Sequence, residues 1–311
     1  MGTPEFAVAS FKSLHEEGFN VVAVVTAPDR PAGRGQKLQE SDVKRYAKEI
    51  QIPVLQPEKL KDPVFIEQLD SLKADLYVVV AFRMLPEIVW SKPPCGTINL
   101  HASLLPQYRG AAPINWAIIN GENKTGVTTF FIEKEIDTGY IIHKEEIEIT
   151  EEDNAGTLHD KLMQMGASVL VRTVTAIIAG NYPKISQHSG DVLKTAPKIF
   201  KEHCKINWNN QVATIYNFVR GLSPYPTAWT IFANQQTNET FSAKIFETEK
   251  EPATHNLQPG TIVSDEKRWL KVALQDGYLK IKNIQAEGKK RLNIEEFLRG
   301  FKDISNYKLL S

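Results

Sequence analysis

Three polar side chains recur at alternate positions in the run Asn99-Leu100-His101-Ala102-Ser103, and their types suit work on a carbonyl group. An amide NH2 can donate to a developing oxyanion, and an imidazole can donate or carry a proton. Side chains alternate faces along a strand, so a strand over 97–103 points Asn99, His101 and Ser103 the same way. A histidine in that role needs an acid to fix its tautomer, and Asp137 in the turn Asp137-Thr138-Gly139 is the candidate. Ser103 is a poor nucleophile: no G-x-S-x-G elbow surrounds it, and Leu104-Leu105-Pro106 follows. Each piece alone has an ordinary reading, a solvated edge for the Asn-x-His pair and a turn aspartate for Asp137.

The elements that must position these residues read as alternating strands and helices. NVVAVVTAP (20–28), ADLYVVVAF (74–82) and CGTINLHAS (95–103) are β-branched or apolar runs of the kind buried in parallel sheets. A short strand, PVLQP, follows the helical stretch 40–51, and further helices are expected over 62–73, 110–121 and 155–180. The two strands KTGVTTFFIEKEID and GYIIHKEEIEIT flank the Asp137 turn. The expected architecture is α/β: a Rossmann-like, mostly parallel sheet, whose ligands bind at the C-terminal ends of its strands. That is where Asn99 and His101 fall.

After a polar, aperiodic stretch the style changes. Apart from a helix over 210–222, short strands such as AWTIF, FSAKIFETE, WLKVALQ and GYLKIKNIQ follow at turn spacing, then a terminal helix, NIEEFLRGF. This predicts a small OB-like β-barrel. The expected division is a catalytic domain over 1–182, a linker over 183–200 and a barrel domain over 201–311. Trp208, Trp229 and Trp269 are expected in its core.

Net charge is zero over the 311 residues, so no global signal favours nucleic acid or membrane. Residues 200–311 nonetheless carry 16 Lys/Arg against 12 Asp/Glu, a mildly basic balance. Lys244, Lys280, Lys282, Lys289, Lys290 and Arg291 are the candidates for a basic face. Cys95 and Cys204 are far apart and the histidines lie in no ligand spacing, so neither disulfide nor metal is expected. No apolar run reaches the length of a membrane span. The reading is a cytoplasmic monomer.

The joined pattern of Asn99, His101, Ser103-Leu104-Leu105-Pro106, Tyr108-Arg109-Gly110-Ala111 and Asp137-Thr138-Gly139 resembles the 10-formyltetrahydrofolate-dependent formyltransferases. GTPEFAV, DRPAGRGQK and GVTTFFIEKEIDTG extend the resemblance over nearly the whole chain, closest to members that act on initiator methionyl-tRNA. It implies formyl transfer from 10-formyltetrahydrofolate to the methionine amino group, with Asn99 and His101 stabilising the oxyanion. Asp137 would orient His101 and favour its charged form. It also implies a folate-binding segment at Ser103, Leu104, Leu105 and Pro106, with Phe82 and Met84 on the pterin wall beside the unusual Arg83. Arg30, Arg34 and Lys37 would grip the acceptor end of the transfer RNA, where composition alone would allow a solvated loop.

The runner-up is a related formyltransferase acting on an amino-sugar nucleotide. A non-catalytic RNA-binding module on an inert α/β scaffold is the reading from another class, and the intact trio argues against it. A dehydrogenase fits the sheet but lacks G-x-G-x-x-G.

The N-terminal run raises one more expectation. A helix is predicted from Pro4, with Thr3 as N-cap, and an alternating α/β chain should place a strand before it. The resemblance implies such a strand leading into GTPEFA. The start is therefore expected several residues upstream, with Met1 an internal methionine.

Overall fold

The computed structural model describes residues 1–32, 37–187 and 192–311, and these form two compact units. The first comprises Met1–Gly110, Thr125–Ile147 and His159–Thr195; the second comprises Ala111–Lys124, Glu148–Leu158 and Ala196–Ser311. In chain order the first elements are α1 (Glu5–Glu16), β1 (Val24–Val25), β2 (Arg30–Ala32), β3 (Lys37–Gln39), α2 (Asp42–Glu49), β4 (Val54–Leu55) and α3 (Pro63–Ser71). Then come β5 (Tyr77–Val80), α4 (Glu87–Trp90), β6 (Thr97–His101), β7 (Arg109–Gly110), α5 (Pro113–Ile119), β8 (Lys124–Phe131), β9 (Ile141–Glu148) and α6 (Ala155–Ile178).

The first unit has the expected Rossmann-like character. β1 pairs with β4, and β5 with β6, in parallel; β8 adds antiparallel to β6, and β9 completes the order β5-β6-β8-β9. Tyr77 and Val79 of β5 share an apolar cluster with Phe65 and Leu69 of α3. α6 packs over the sheet, because a Cβ built on Gly166 would meet Leu100 Cδ2 at 2.9 Å. By length and composition α6 is long and apolar enough to cross a membrane; Leu162, Val169 and Leu170 on it are buried in the fold.

Two local expectations are corrected. Thr3 does not cap α1: Pro4 holds the N-cap position and no side chain bonds to the helix start. The strand expected over 20–28 narrows to Val24–Val25, because only β4 pairs with it as a ladder, while Met1–Gly2 provides a single rung on its other side. Gly2 N donates to Val25 O at 3.0 Å, and Gly2 bridges Val80 in parallel.

The second unit is a nearly closed antiparallel barrel with α7 (Val212–Leu222) and α8 (Ile294–Gly300) packed onto it. After β10 (Thr195–Ala196), its strands are β11 (Ala228–Asn234), β12 (Thr240–Pro252), β13 (Ile262–Ser264), β14 (Leu270–Leu274), β15 (Gly277–Ala286), β16 (Leu292–Asn293) and β17 (Tyr307–Leu310). They run in the order β13-β14-β15-β12-β11-β17, with β16 pairing β15. A Thr261–Lys308 bridge brings the two ends together. Alternate residues of β11, Ala228, Thr230 and Phe232, are buried as period-2 patterning requires. Trp208 is fully buried and donates from Nε1 to Thr230 Oγ1 at 2.8 Å; Trp229 and Trp269 are half-buried. α5, read in the sequence with the first unit, packs in the second, where Asn115 Nδ2 donates to Gly221 O at 2.8 Å.

Candidate active site

β6 ends at His101, so strand alternation places Asn99 and His101 on one face and Leu100 on the α6 face. Asn99 is half-buried and pairs between Val79 and Phe130 through its backbone. Its side-chain amide has no hydrogen-bond partner among the described residues, which leaves both amide protons to be donated elsewhere. His101 is buried. Its Nε2 lies 2.9 Å from Tyr108 O, and a carbonyl only accepts, so Nε2 carries a proton and donates. Nδ1 faces Asp137 Oδ2 at 3.9 Å, too far for a hydrogen bond and within ion-pair distance only when the ring is protonated.

Asp137 is held from the other side. Gly110 N donates to its Oδ2 at 3.0 Å, and the residue sits in the left-handed region at φ 55°. The turn that carries it depends on Gly139: a Cβ there would meet Phe131 O at 1.8 Å, so only glycine lets the hairpin pass that close. Gln187 ties the turn to Arg109. Its Nε2 donates to Gly139 O at 2.7 Å, and its Oε1 accepts from Arg109 Nη2 at 2.8 Å.

Ser103 lies beyond the strand end, so the expected alternation does not reach it. It is fully buried, and its hydroxyl donates to Gln107 O at 2.7 Å, closing a turn rather than facing an open cleft. Thr128, opposite His101 in β8, clamps the segment: its hydroxyl donates to Ser103 O at 2.7 Å and accepts from Leu105 N at 3.1 Å. Leu105 is fully buried, and the Leu105–Pro106 peptide is cis. Leu104 closes over Gly126, where a Cβ would come within 2.6 Å of Leu104 Cδ2. The segment is therefore a rigid wall that sets the Tyr108 carbonyl against His101.

Phe82 is half-buried against the β5–α3 cluster, whereas Met84 is 74% exposed and available to a ligand. Arg83 turns away to the Glu58 carbonyl at 2.8 Å and to Pro57 O, which explains how an arginine is accommodated in that wall. Burial is the main cause lowering its pKa, with the Arg30 charge second. Arg30 is exposed in the β2–β3 hairpin and Lys37 begins β3. Arg34 lies outside the described residues. The hairpin base is fixed by Asp29, which accepts from Lys44 Nζ at 2.6 Å and Gln56 Nε2 at 2.8 Å. Those bonds hold the Asp29 carboxyl below its ordinary pKa.

Sequence reasoning missed Thr128, Gln187 and the Tyr108 carbonyl. The T-G-V-T run signalled Thr128 only as a strand residue, and Gln187 sits in the aperiodic stretch read as linker. Among the described residues no group of acidic, His or Cys side chains could hold a metal ion.

Two family models match the chain: Formyl transferase over residues 1–174, and Formyl transferase, C-terminal domain, over residues 198–302. A methionyl-tRNA formyltransferase of Bacteroides fragilis is 56% identical over 304 residues, spanning 97% of this chain and 94% of its own length. Its counterpart in Parabacteroides distasonis is 54% identical over 312 residues, spanning 99% and 96%. Among solved structures, WlaRD, a sugar 3N-formyl transferase, matches with a TM-score of 0.66 at 21% identity, over 93% of this chain and 97% of that one. That last likeness is one of fold.

Proposed function

The chain belongs to the methionyl-tRNA formyltransferases, and on that premise we propose that Asn99, His101 and Asp137 carry formyl transfer from 10-formyltetrahydrofolate to the amino group of methionine on initiator transfer RNA. The amino nitrogen attacks the formyl carbon, a C–N bond forms, and the carbonyl electrons move onto oxygen. Asn99 donates its free amide protons to that oxyanion. His101 Nε2 leaves the Tyr108 carbonyl to do the same, and one such donor is worth about 3–4 kcal/mol. Collapse of the intermediate breaks the bond to the folate nitrogen; His101 Nε2–H gives its proton to that nitrogen and takes the attacking amine's proton in its place. Asp137 Oδ2, 3.9 Å from Nδ1, orients the ring.

The observation that carries this reading is the buried imidazole held between the Tyr108 carbonyl and Asp137 at the end of β6, two residues after an unpartnered amide. The wall of Ser103, Leu104, Leu105 and Pro106, with Phe82 and Met84, takes the folate. Residues 1–182 carry the chemistry, 183–200 link, and 201–311 hold the RNA. Arg30, Arg34 and Lys37 contact the acceptor end. On the barrel, Lys244, Lys289, Lys290 and Arg291 are all exposed, whereas Lys280 and Lys282 are paired with Glu249 and add less positive potential. The enzyme works as a cytoplasmic monomer without a membrane partner.

The test is formylation by the purified chain, supplied with 10-formyltetrahydrofolate and methionylated initiator transfer RNA. Elongator transfer RNA and an amino-sugar nucleotide serve as competing acceptors. Formylation of the initiator alone is expected; preference for the sugar would replace the acceptor in this reading.

A further inference from the structure

Three consecutive residues, Tyr108, Arg109 and Gly110, each hold a different part of the first unit's site. Tyr108 O accepts from His101 Nε2 at 2.9 Å, and Gly110 N donates to Asp137 Oδ2 at 3.0 Å. Between them, the Arg109 guanidinium donates from Nε and Nη2 to Gln187 Oε1 at 3.2 and 2.8 Å. Gln187 Nε2 in turn donates to Gly139 O at 2.7 Å. Asp137, Gly110, Arg109, Gln187 and Gly139 therefore close a ring that begins and ends on the turn carrying the acid.

The hairpin tip depends on this ring. Glu133, Lys134, Glu135 and Ile136 are exposed, and Thr138 Oγ1 bonds only within the tip, to Glu135 O at 3.2 Å. Among the described residues, two hydrogen bonds reach residues 133–139 from outside, those from Gly110 N and from Gln187 Nε2. The first holds the Asp137 carboxylate and the second holds the backbone two residues on. No hydrogen bond joins Asp137 to the imidazole, so nothing within that pair sets their 3.9 Å separation.

The surroundings of Gln187 leave its amide one orientation. Ile185 and Ile141 exchange backbone bonds at 2.8 and 3.0 Å, an antiparallel bridge whose register sets Gln187 opposite Gly139. A guanidinium only donates and a carbonyl only accepts, so Oε1 must face Arg109 and Nε2 must face Gly139. Arg109 is half-buried and has no carboxylate partner among the described residues, so Gln187 Oε1 receives a charge-assisted bond that nothing else in the fold competes for.

We infer that Gln187 is a positioning residue for formyl transfer: it holds the Asp137 turn at its distance from His101, and Arg109 fixes the amide that does so. It acts through Asp137, and the inference rests on the roles given above to His101 and Asp137. The aperiodic stretch that carries Gln187 thus serves the chemistry besides linking.

Two substitutions test this, each made alone and together with Asp137→Asn. Gln187→Glu keeps the size and the acceptor for Arg109 but sets a carboxylate oxygen against Gly139 O, where neither can donate. Gln187→Met removes both bonds and adds no charge. Each is expected to lower kcat about 10–100-fold, with KM for 10-formyltetrahydrofolate and for initiator methionyl-tRNA within about threefold of the parent chain. Added to Asp137→Asn, each should lower kcat further by less than about twofold, because the residue it acts through is already lost. A residue that only stabilised the fold would move the melting midpoint, and its effect would carry over in full to the Asp137→Asn chain. Parent-like kcat in both Gln187 variants beside an impaired Asp137→Asn overturns this proposal alone, as does a loss that persists in full in the double variants or lies wholly in KM. Parent-like kcat in Asp137→Asn overturns the catalytic trio, and this proposal with it.

Discussion

The two units solve the same problem of sheet edges in opposite ways. In the barrel, each strand from β11 to β15 finds an antiparallel neighbour, mostly close in sequence, and the Thr261–Lys308 bridge joins the ends. In the α/β unit, β1 and β5 ladder in parallel with β4 and β6, and among the described residues Met1–Gly2 bonds to both β1 and β5. The barrel therefore invests its apolar residues in one closed core. The α/β unit exposes polar groups at the ends of β5 and β6 and holds them through side chain–backbone bonds. Stability should be governed by packing in the second unit and by hydrogen-bonded clamps in the first.

That contrast can be broken most forcefully in the barrel. Trp208→Ala removes a fully buried indole and the bond to Thr230, and should cost about 3–5 kcal/mol, read as a lower denaturant midpoint of the barrel. Donor binding by the first unit should survive it. In the α/β unit the corresponding lesion is chemical rather than volumetric. Thr128→Val keeps the shape but strands Ser103 O and Leu105 N in a buried setting, costing about 2–3 kcal/mol. It should also lower turnover, because the wall that sets the Tyr108 carbonyl against His101 loosens. Unchanged turnover in a destabilised Thr128→Val chain would separate the clamp from the chemistry.

The smallest effect is expected on the barrel surface. Lys282→Ala breaks a 3.1 Å pair with the half-exposed Glu249 and should change stability by less than about 1 kcal/mol.

What could be read from the chain follows the same division. The barrel strands were legible because period-2 patterning and turn residues are local, and the register of β11 on β12 needs nothing remote. Asp137 was picked out as the acid in the Asp137-Thr138-Gly139 turn, and the motif resemblance implied its role; that Asn99 and His101 share a face was legible because strand alternation is local too. Burial of α5 in the second unit was not, since its helical period is the same whichever core it faces. The strand over 20–28 was overread: β-branched residues favour a strand, yet a ladder forms only where a partner lies alongside, and that condition holds at Val24–Val25. Thr128 and Gln187 escaped notice because both act on backbone carbonyls or amides far away in sequence, and such partners carry no side-chain signature. Lys280 and Lys282 counted as free basic residues until the β12–β15 register set them beside Glu249 and Glu251.

The central claim is that His101, placed by Asp137 and the Tyr108 carbonyl, acts on the oxyanion and not on substrate binding. Single-turnover formylation of initiator methionyl-tRNA by His101→Ala tests it most directly, with folate and RNA affinities measured on the same protein. The account predicts a rate lower by about 10²–10³-fold with both affinities within a few fold of the parent chain. A parent-like rate, or a loss traced wholly to weaker binding, would contradict it.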